Sequence, residues 1–322
     1  MRGAIVVSDF LEQHWSVQLD AAAPGIPRLV LGENGLNGDP QQAEVAYFSG
    51  DLFPERGRDF FFPMLHASEL KWLHTFSAGV DHPIFHRFLD AGVRLTTSSG
   101  ASSATIAETV LFFLLYLSRE FWRTHAARQQ RGWLPHDVRE LAGATVAVVG
   151  MGPIGMEVAL RARAFGMNVV GVTRTPKGTE GFPVLALSSL DEAIAPAQYV
   201  VLALPLTPQT RGLFDRARLA RMKRGAFFVN VARGELVDET ALIDALKAGN
   251  LAGAALDVFA EEPLPSTSPL WEMPNVVITP HSAGRSLASN DRATGIFLDN
   301  LGRYLRGEPL RNETFPGERG PS

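Results

Sequence analysis

Two α/β domains, each built on a parallel sheet, are predicted by three observations. The chain has 322 residues, more than one small core organises and enough for about two domains of 100 to 200 residues each. Short β-rich runs alternate with helix-like ones in two successive series, as expected of parallel strands joined by crossover helices. Near the middle, ATVAVVGMGPIG sets a glycine-rich turn between an apolar strand and the helix-like MEVALRARAFG.

The first series has strand candidates at Ala4 to Val7, Leu29 to Leu31, Val45 to Phe48, Trp72 to Phe76 and Val93 to Thr96. The link GENGLNGDPQQAE, between the second and third of these, holds three glycines and a proline, so any helix there is short or absent. Ala104 to Arg128 reads as one helix, apolar on nearly every face near its start, with Thr105 and Glu108 spaced as a capping box. That places it at a domain or subunit interface. The second series has strands at Thr145 to Val149, Asn168 to Val172, Tyr199 to Ala203, Phe227 to Asn230, Ala254 to Asp257 and Val276 to Thr279. Six strands with intervening helices make a doubly wound sheet. Ser286 to Leu305 follows as a helix, and RNETFPGERGPS as a loose tail.

The totals narrow the chemistry. A net charge of −4 with 46% hydrophobic and 20% charged residues gives no reason to expect nucleic acid or an anionic membrane as partner. With no cysteine, disulfides, thiolate metal sites and a catalytic thiol are excluded together; no metal is expected. MRGAIVVSDF lacks a long apolar core followed by a cleavage site, so a secretory signal is not expected, and a cytoplasmic location is. The most apolar run, Val110 to Leu117, is eight residues long, against roughly 20 to cross a bilayer.

Gly150, Gly152 and Gly155 form G-x-G-x-x-G between strand and helix. There the glycines serve a tight turn, a close approach of backbone to a pyrophosphate, and close helix-to-strand packing. The bare spacing is weak in a chain with 30 glycines; the strand before it and the helix after it make it specific. Because a whole α/β block precedes this loop, a ligand cleft between two domains is expected.

Ligands of open α/β sheets bind beyond the carboxyl ends of the strands. After the strand ending at Asn230 comes Arg233, beside Gly234; after Ala254 come Asp257, Glu261 and Glu262; after Val276 comes TPHSAG with His281. Such a set suits hydride transfer to a 2-oxo acid. Histidine can protonate the ketone oxygen near neutral pH, a neighbouring carboxylate favours its charged form, and arginine offers a planar fork to the substrate carboxylate. The bland alternatives are an Arg233 paired with Glu235 or Asp238, and a Glu262 that merely belongs to an acidic turn. His14, His66, His74, His82, His86, His125 and His136 read as surface or satisfied core residues.

GMGPIG, LPLTPQTRGLF, NVARGELVDETAL and LDVFAEEPLPSTSPLWEMPNVVITPHSAG together resemble the D-isomer-specific 2-hydroxyacid dehydrogenases, most nearly the glyoxylate/hydroxypyruvate reductase branch. FSAGVDH at 76–82 and TIAETVLFFLL resemble it more weakly. The resemblance implies two Rossmann-like domains: a dinucleotide-binding domain over 100–284, and a flavodoxin-like substrate domain over 1–99 that is completed by 285–322. It implies an NAD(P)-dependent reductase of small 2-oxo acids and a homodimer. Arg233 would bind the substrate, Glu262 would hold His281, and His281 would be the acid/base. Ala78 and Gly79 would hold the substrate carboxylate with their amides. Pro153 and Ile154 would lie over the pyrophosphate, and Asp257 would fix the nicotinamide carboxamide. Leu204, Pro205, Ala232, Ala283 and Gly284, in the same motifs, complete the implied cofactor contacts. The glycine-rich link after Leu31 and the run Phe60, Phe61, Phe62, Pro63 depart from the pattern and are where substrate choice is expected to be decided. The alternatives are a non-catalytic NAD(H)-sensing regulator and a formate- or phosphite-type dehydrogenase on the same fold.

VVGVTRTPKG at 169–178 carries no carboxylate where an NAD enzyme keeps one for the ribose 2′-hydroxyl; Thr173 stands there, with Arg174 next to it. A carboxylate would repel a 2′-phosphate, whereas the Arg174 fork with Thr173, Thr175 or Lys177 would bind it, so NADP(H) is expected over NAD(H). The alternative is a solvated basic turn that folds away from the ribose.

Overall fold

The computed structural model of the chain describes residues 3–176 and 181–315. The chain divides into two compact units, Met1–Ser102 with Arg285–Ser322, and Ser103–Gly284. The break falls at Ser103, not at residue 100, because the helix that opens the second unit starts there.

The first unit opens with β1 (Ala4–Ser8), α1 (Asp9–Ala22), β2 (Arg28–Gly32), β3 (Gly35–Leu36), β4 (Ala43–Phe48), α2 (Gly57–Leu65), β5 (Trp72–Thr75), α3 (Pro83–Asp90) and β6 (Arg94–Thr97). Between β3 and β4 a single 3-10 turn, Pro40–Gln42, stands in place of a helix. β1, β4 and β5 are buried along their whole length, as strands of a parallel sheet covered on both faces must be.

The second unit holds α4 (Ser103–Ser118), α5 (Phe121–Gln129), β7 (Thr145–Val149), α6 (Pro153–Ala164), β8 (Asn168–Thr173), β9 (Val184–Ala186), α7 (Leu190–Ile194), β10 (Tyr199–Leu202), α8 (Arg216–Arg221), β11 (Ala226–Asn230), α9 (Glu239–Lys247), β12 (Leu251–Leu256) and β13 (Val276–Ile278). Its strands run in the order β13-β12-β11-β10-β7-β8-β9, all parallel. The order reverses between β7 and β10, the doubly wound arrangement with its ligand crevice at that point. Side chains alternate across β7: Val146 and Val148 belong to the apolar cluster that includes Val110, Phe113 and Leu114 of α4, and Ala147 and Val149 to the other cluster, which includes residues of α7 and α9.

Finally α10 (Leu287–Arg306) and β14 (Glu313–Thr314) return to the first unit. Its sheet has the order β14-β6-β5-β4-β1-β2-β3, with β3 and β14 antiparallel and the five strands between them parallel. Those five follow the flavodoxin-like order. The fold is therefore α/β with two parallel-sheet units.

Three expectations change. The segment 104–128 is two helices, because Glu120 adopts a left-handed backbone at φ 45°. Thr105 lies inside α4 and not at its cap; a capping box is found at Ser286 and Ser289, at the start of α10. The tail is docked through residue 314: Asn312 donates to the carbonyls of Thr97 and Ser99, and Glu313 accepts two hydrogen bonds from Arg94.

Candidate active site

The glycine loop occupies the crevice edge of the second sheet. Gly150 has φ +104°, and a Cβ there would lie 2.4 Å from the Ala203 carbonyl oxygen. On Gly155 a Cβ would lie 1.8 Å from the Gly150 oxygen, whereas on Gly152 it would meet nothing within 4 Å. Two glycines thus let backbone pass backbone, and the third leaves an open face. Gly152 caps α6 without a side-chain hydrogen bond, and Pro153 occupies the first turn. The amides of Ile154 and Gly155 and the positive end of the helix dipole are left to an anion. These residues fit a dinucleotide pyrophosphate.

Around this loop stand the other expected cofactor residues of the unit. Leu204 and Pro205 follow β10, Ala232 follows β11, Asp257 follows β12, and Ala283 and Gly284 lie beyond β13. Thr173 ends β8; Arg174 and Thr175 are exposed just past it. Arg174 forms no ion pair among the described residues, and no carboxylate occupies the end of β8. Lys177 lies outside the described residues.

His281 and Glu262 meet. His281 Nδ1 lies 2.8 Å from Glu262 Oε2. Partial burial pushes the Glu262 carboxyl up, but the hydrogen bond from His281, the Phe259 amide and the nearby charges of His281 and Arg233 outweigh it, and its pKa is lowered. An ionised carboxylate only accepts, so Nδ1 is the donor and Nε2 is left for substrate. The Phe259 amide donates to Glu262 Oε1 at 3.0 Å, fixing the other carboxylate oxygen. Gly234 brings the Arg233 turn against this segment: a Cβ on Gly234 would lie 1.9 Å from the Phe259 carbonyl carbon. Asp238 caps α9 through the Ala241 amide, and Glu235 lies 4.0 Å from Arg211.

His281 has φ +49°, a conformation that costs a residue with a Cβ about 1 to 3 kcal/mol unless its surroundings hold it. The hold comes from residues the sequence did not single out for it. Asp257, 2% exposed, takes hydrogen bonds from Thr279 Oγ1 (2.5 Å) and the amides of Ser282 (2.9 Å) and Ala283 (3.1 Å), and its own carbonyl accepts from the His281 amide. Thr109, on α4, donates to the Ala283 carbonyl at 3.2 Å. Asn230, the last residue of β11, accepts from the Ala232 amide and donates to the Arg233 carbonyl. The available signal for Asn230 was one polar residue ending an apolar strand. Thr109 gave none, being a polar residue in an apolar helix.

Ala78 and Gly79 lie in the first unit, in the turn after β5. Phe60, Phe61 and Phe62 belong to α2. Phe60 is buried, Phe61 packs on Phe48 and Phe85, and only Phe62 is exposed, beside His66. That run is core packing in the main.

Residues 111–283 match the family model for the D-isomer specific 2-hydroxyacid dehydrogenase, NAD binding domain. The chain is 36% identical over 250 residues, 76% of its length, to a D-3-phosphoglycerate dehydrogenase of Methanocaldococcus jannaschii, and the match spans 48% of that protein. It thus covers about half the length of such relatives. Against a glyoxylate reductase of Thermofilum pendens it is 33% identical over 250 residues, covering 75% of this chain and 74% of that one. A D-isomer specific 2-hydroxyacid dehydrogenase from Xanthobacter autotrophicus Py2, solved with NADPH and MES, superposes with a TM-score of 0.81 at 36% identity, covering 98% of each chain. An NADPH-dependent glyoxylate/hydroxypyruvate reductase from Sinorhizobium meliloti, solved with NADP and sulfate, gives 0.81 at 29% identity over 99% of each chain. The family match runs from within α4 past His281 and takes in the glycine loop, Arg233 and Glu262, so the chain belongs to the D-isomer specific 2-hydroxyacid dehydrogenase family.

Proposed function

We propose that the chain reduces a small 2-oxo acid of the glyoxylate or hydroxypyruvate kind to the D-2-hydroxy acid, with NADPH preferred. The observation that carries this reading is the 2.8 Å pair of His281 with Glu262 on the strand edge that also carries Arg233. When bound, the nicotinamide cofactor supplies the hydride. Arg233 pairs with the substrate carboxylate and polarises the ketone, and the amides of Ala78 and Gly79 contribute to holding that carboxylate. His281 gives the proton at Nε2 to the forming alkoxide, while Glu262 steadies the ring through Nδ1. Pro153 and Ile154 would hold the pyrophosphate, and Asp257, which keeps the 281–283 turn in place, would fix the nicotinamide carboxamide.

The NADPH preference is supported by the exposed Arg174 at the end of a β8 that carries no acid. A second copy of this chain is the proposed partner. The support is an apolar surface on α4, α5 and the segment after them, where Trp133 is 96%, Leu134 60% and Phe112 53% exposed; light scattering should give twice the 35.0 kDa chain mass.

The test is a rate panel of glyoxylate, hydroxypyruvate, pyruvate, phenylpyruvate and longer 2-oxo acids with NADH and NADPH, plus formate and phosphite with the oxidised cofactors. Oxidation of NADPH by a 2-oxo acid is expected; none by any of them sinks the reading. In Arg174→Ala, NADPH affinity should fall about 10- to 100-fold with NADH affinity nearly unchanged, since charge-assisted hydrogen bonds are worth about 1.5 to 3 kcal/mol. An unchanged ratio would leave the solvated-turn alternative.

A further inference from the structure

The turn after β5 rests on a chain of hydroxyl groups whose donors and acceptors can be assigned. Ser98 Oγ donates to the Thr75 carbonyl at 3.0 Å. Its proton is therefore spent, and His74 Nε2, 3.0 Å away, must be the donor to it. His74 Nδ1 then accepts from Thr96 Oγ1 at 2.6 Å, and Thr96 Oγ1 accepts from Trp72 Nε1 at 2.8 Å. Trp72, His74, Thr75, Thr96 and Ser98 are all buried. This series runs one way, from the indole to the carbonyl at the end of β5.

The same logic fixes Ser77, the next residue but one. Ser77 Oγ donates to the Gly79 carbonyl at 2.8 Å, so it accepts from Thr75 Oγ1 at 3.0 Å. Its amide donates to Thr75 Oγ1 at 3.3 Å and its carbonyl accepts from the Ser98 amide at 3.0 Å. Every polar group of Ser77 is engaged. The amides of Ala78 and Gly79, by contrast, donate to no described residue, and Ala78 is exposed. Two successive amides that no described residue engages, in a turn whose other polar groups are spent, leave donors available to an acceptor from outside the chain.

We propose that Ser77 is a positioning residue for substrate. Its hydroxyl ties down the Gly79 carbonyl, limits rotation of the peptides in this turn, and keeps both amides presented to the substrate carboxylate. The inference rests on the reading of Ala78 and Gly79 as carboxylate contacts and adds the residue that organises them. Thr75 is the support on which Ser77 stands, and the buried run from Trp72 holds Thr75.

The test is steady-state kinetics with the best 2-oxo acid of the panel, beside direct titration of cofactor. Ser77→Ala should raise KM about tenfold, the factor that one lost hydrogen bond gives, with kcat and cofactor Kd changed less than about threefold. Ser77→Thr, which keeps the hydroxyl, should restore most of the loss. Thr75→Val, which removes only the support, should raise KM in the same sense by a smaller factor, and it carries the test if Ser77→Ala does not fold. An unchanged KM in a folded Ser77→Ala or Thr75→Val protein, or an equal fall in kcat and cofactor affinity, overturns the role of Ser77 and leaves the reductase reading standing. Absence of turnover in the unmodified chain overturns that reading first, and this inference with it.

Discussion

His281 carries a left-handed backbone that Asp257, Thr279 and Thr109 together keep in place. An imidazole on a turn held this way is presented in one orientation, and Glu262 adds the choice of which ring nitrogen is free. Removing the ring in His281→Ala should lower turnover by about 10² to 10⁴, the usual worth of general acid catalysis. Cofactor Kd should stay within about twofold, since the imidazole is assigned to the substrate. Stopped-flow turnover and fluorescence titration of NADPH check this, and retained turnover would remove His281 from its role. The placement of Arg233, Glu262 and His281 in the loops that follow β11, β12 and β13 was legible in the sequence, because the strands were legible and ligands bind beyond their carboxyl ends. The residues that hold His281 were not. Thr279 and Thr109 are common residues whose meaning is a partner far along the chain, Asp257 for one and Ala283 for the other, and single-sequence spacing does not record such partners.

At the level of elements, β7, the glycine loop and α6 are held by close backbone approaches at Gly150 and Gly155. The loop's three glycines have separable duties. Gly155→Ala would set a methyl 1.8 Å from the Gly150 oxygen, so α6 must move off β7. The expected result is a loss of stability of about 1 to 3 kcal/mol together with weakened cofactor binding. Gly152→Ala meets open space, and its stability should change by less than about 0.5 kcal/mol. Its affinity for cofactor should still fall, because the methyl enters the face left for ligand. Chemical denaturation and cofactor titration of the two variants distinguish them; equal losses of stability would contradict this division. The long strands were legible from apolar runs, since parallel strands are buried on both faces. The short ones, β3, β9 and β14, were not. They have two or three residues each, and what makes them strands is the neighbour they pair with. The break between α4 and α5 was hidden for a related reason: Glu120 is an ordinary helix former, and only its left-handed backbone ends the run.

Across the whole chain, the last described residues are committed to the first sheet. α10 packs Phe297 on Tyr47 and Trp72, Tyr304 donates to the buried Glu44, and β14 closes the sheet edge on β6. Polar composition alone had made residues 311–315 read as a loose end, because a two-residue strand with its clamp of Asn312 and Glu313 has no apolar signature. At the centre of this unit lies His74, fully buried against Tyr47, Trp72 and Phe297. Burial pushes its pKa down from 6.5 to about 3, so the folded chain keeps the imidazole neutral while the unfolded chain protonates it below about pH 6.5. The sign follows: the stability that depends on a neutral His74 is complete above the unfolded pKa and is lost as pH falls from there toward the folded one, at no more than about 1.4 kcal/mol per pH unit. His74→Gln keeps a polar side chain but does not titrate. It should unfold at a lower temperature than the unmodified chain at about pH 7, and the gap should narrow steadily toward about pH 4. Calorimetric scans of the first-unit transition across that range provide the check. A gap that stays constant would mean that the acid sensitivity of this unit arises elsewhere, among the carboxylates that pair with arginine, such as Asp9 with Arg56 and Asp299 with Arg303 and Arg311.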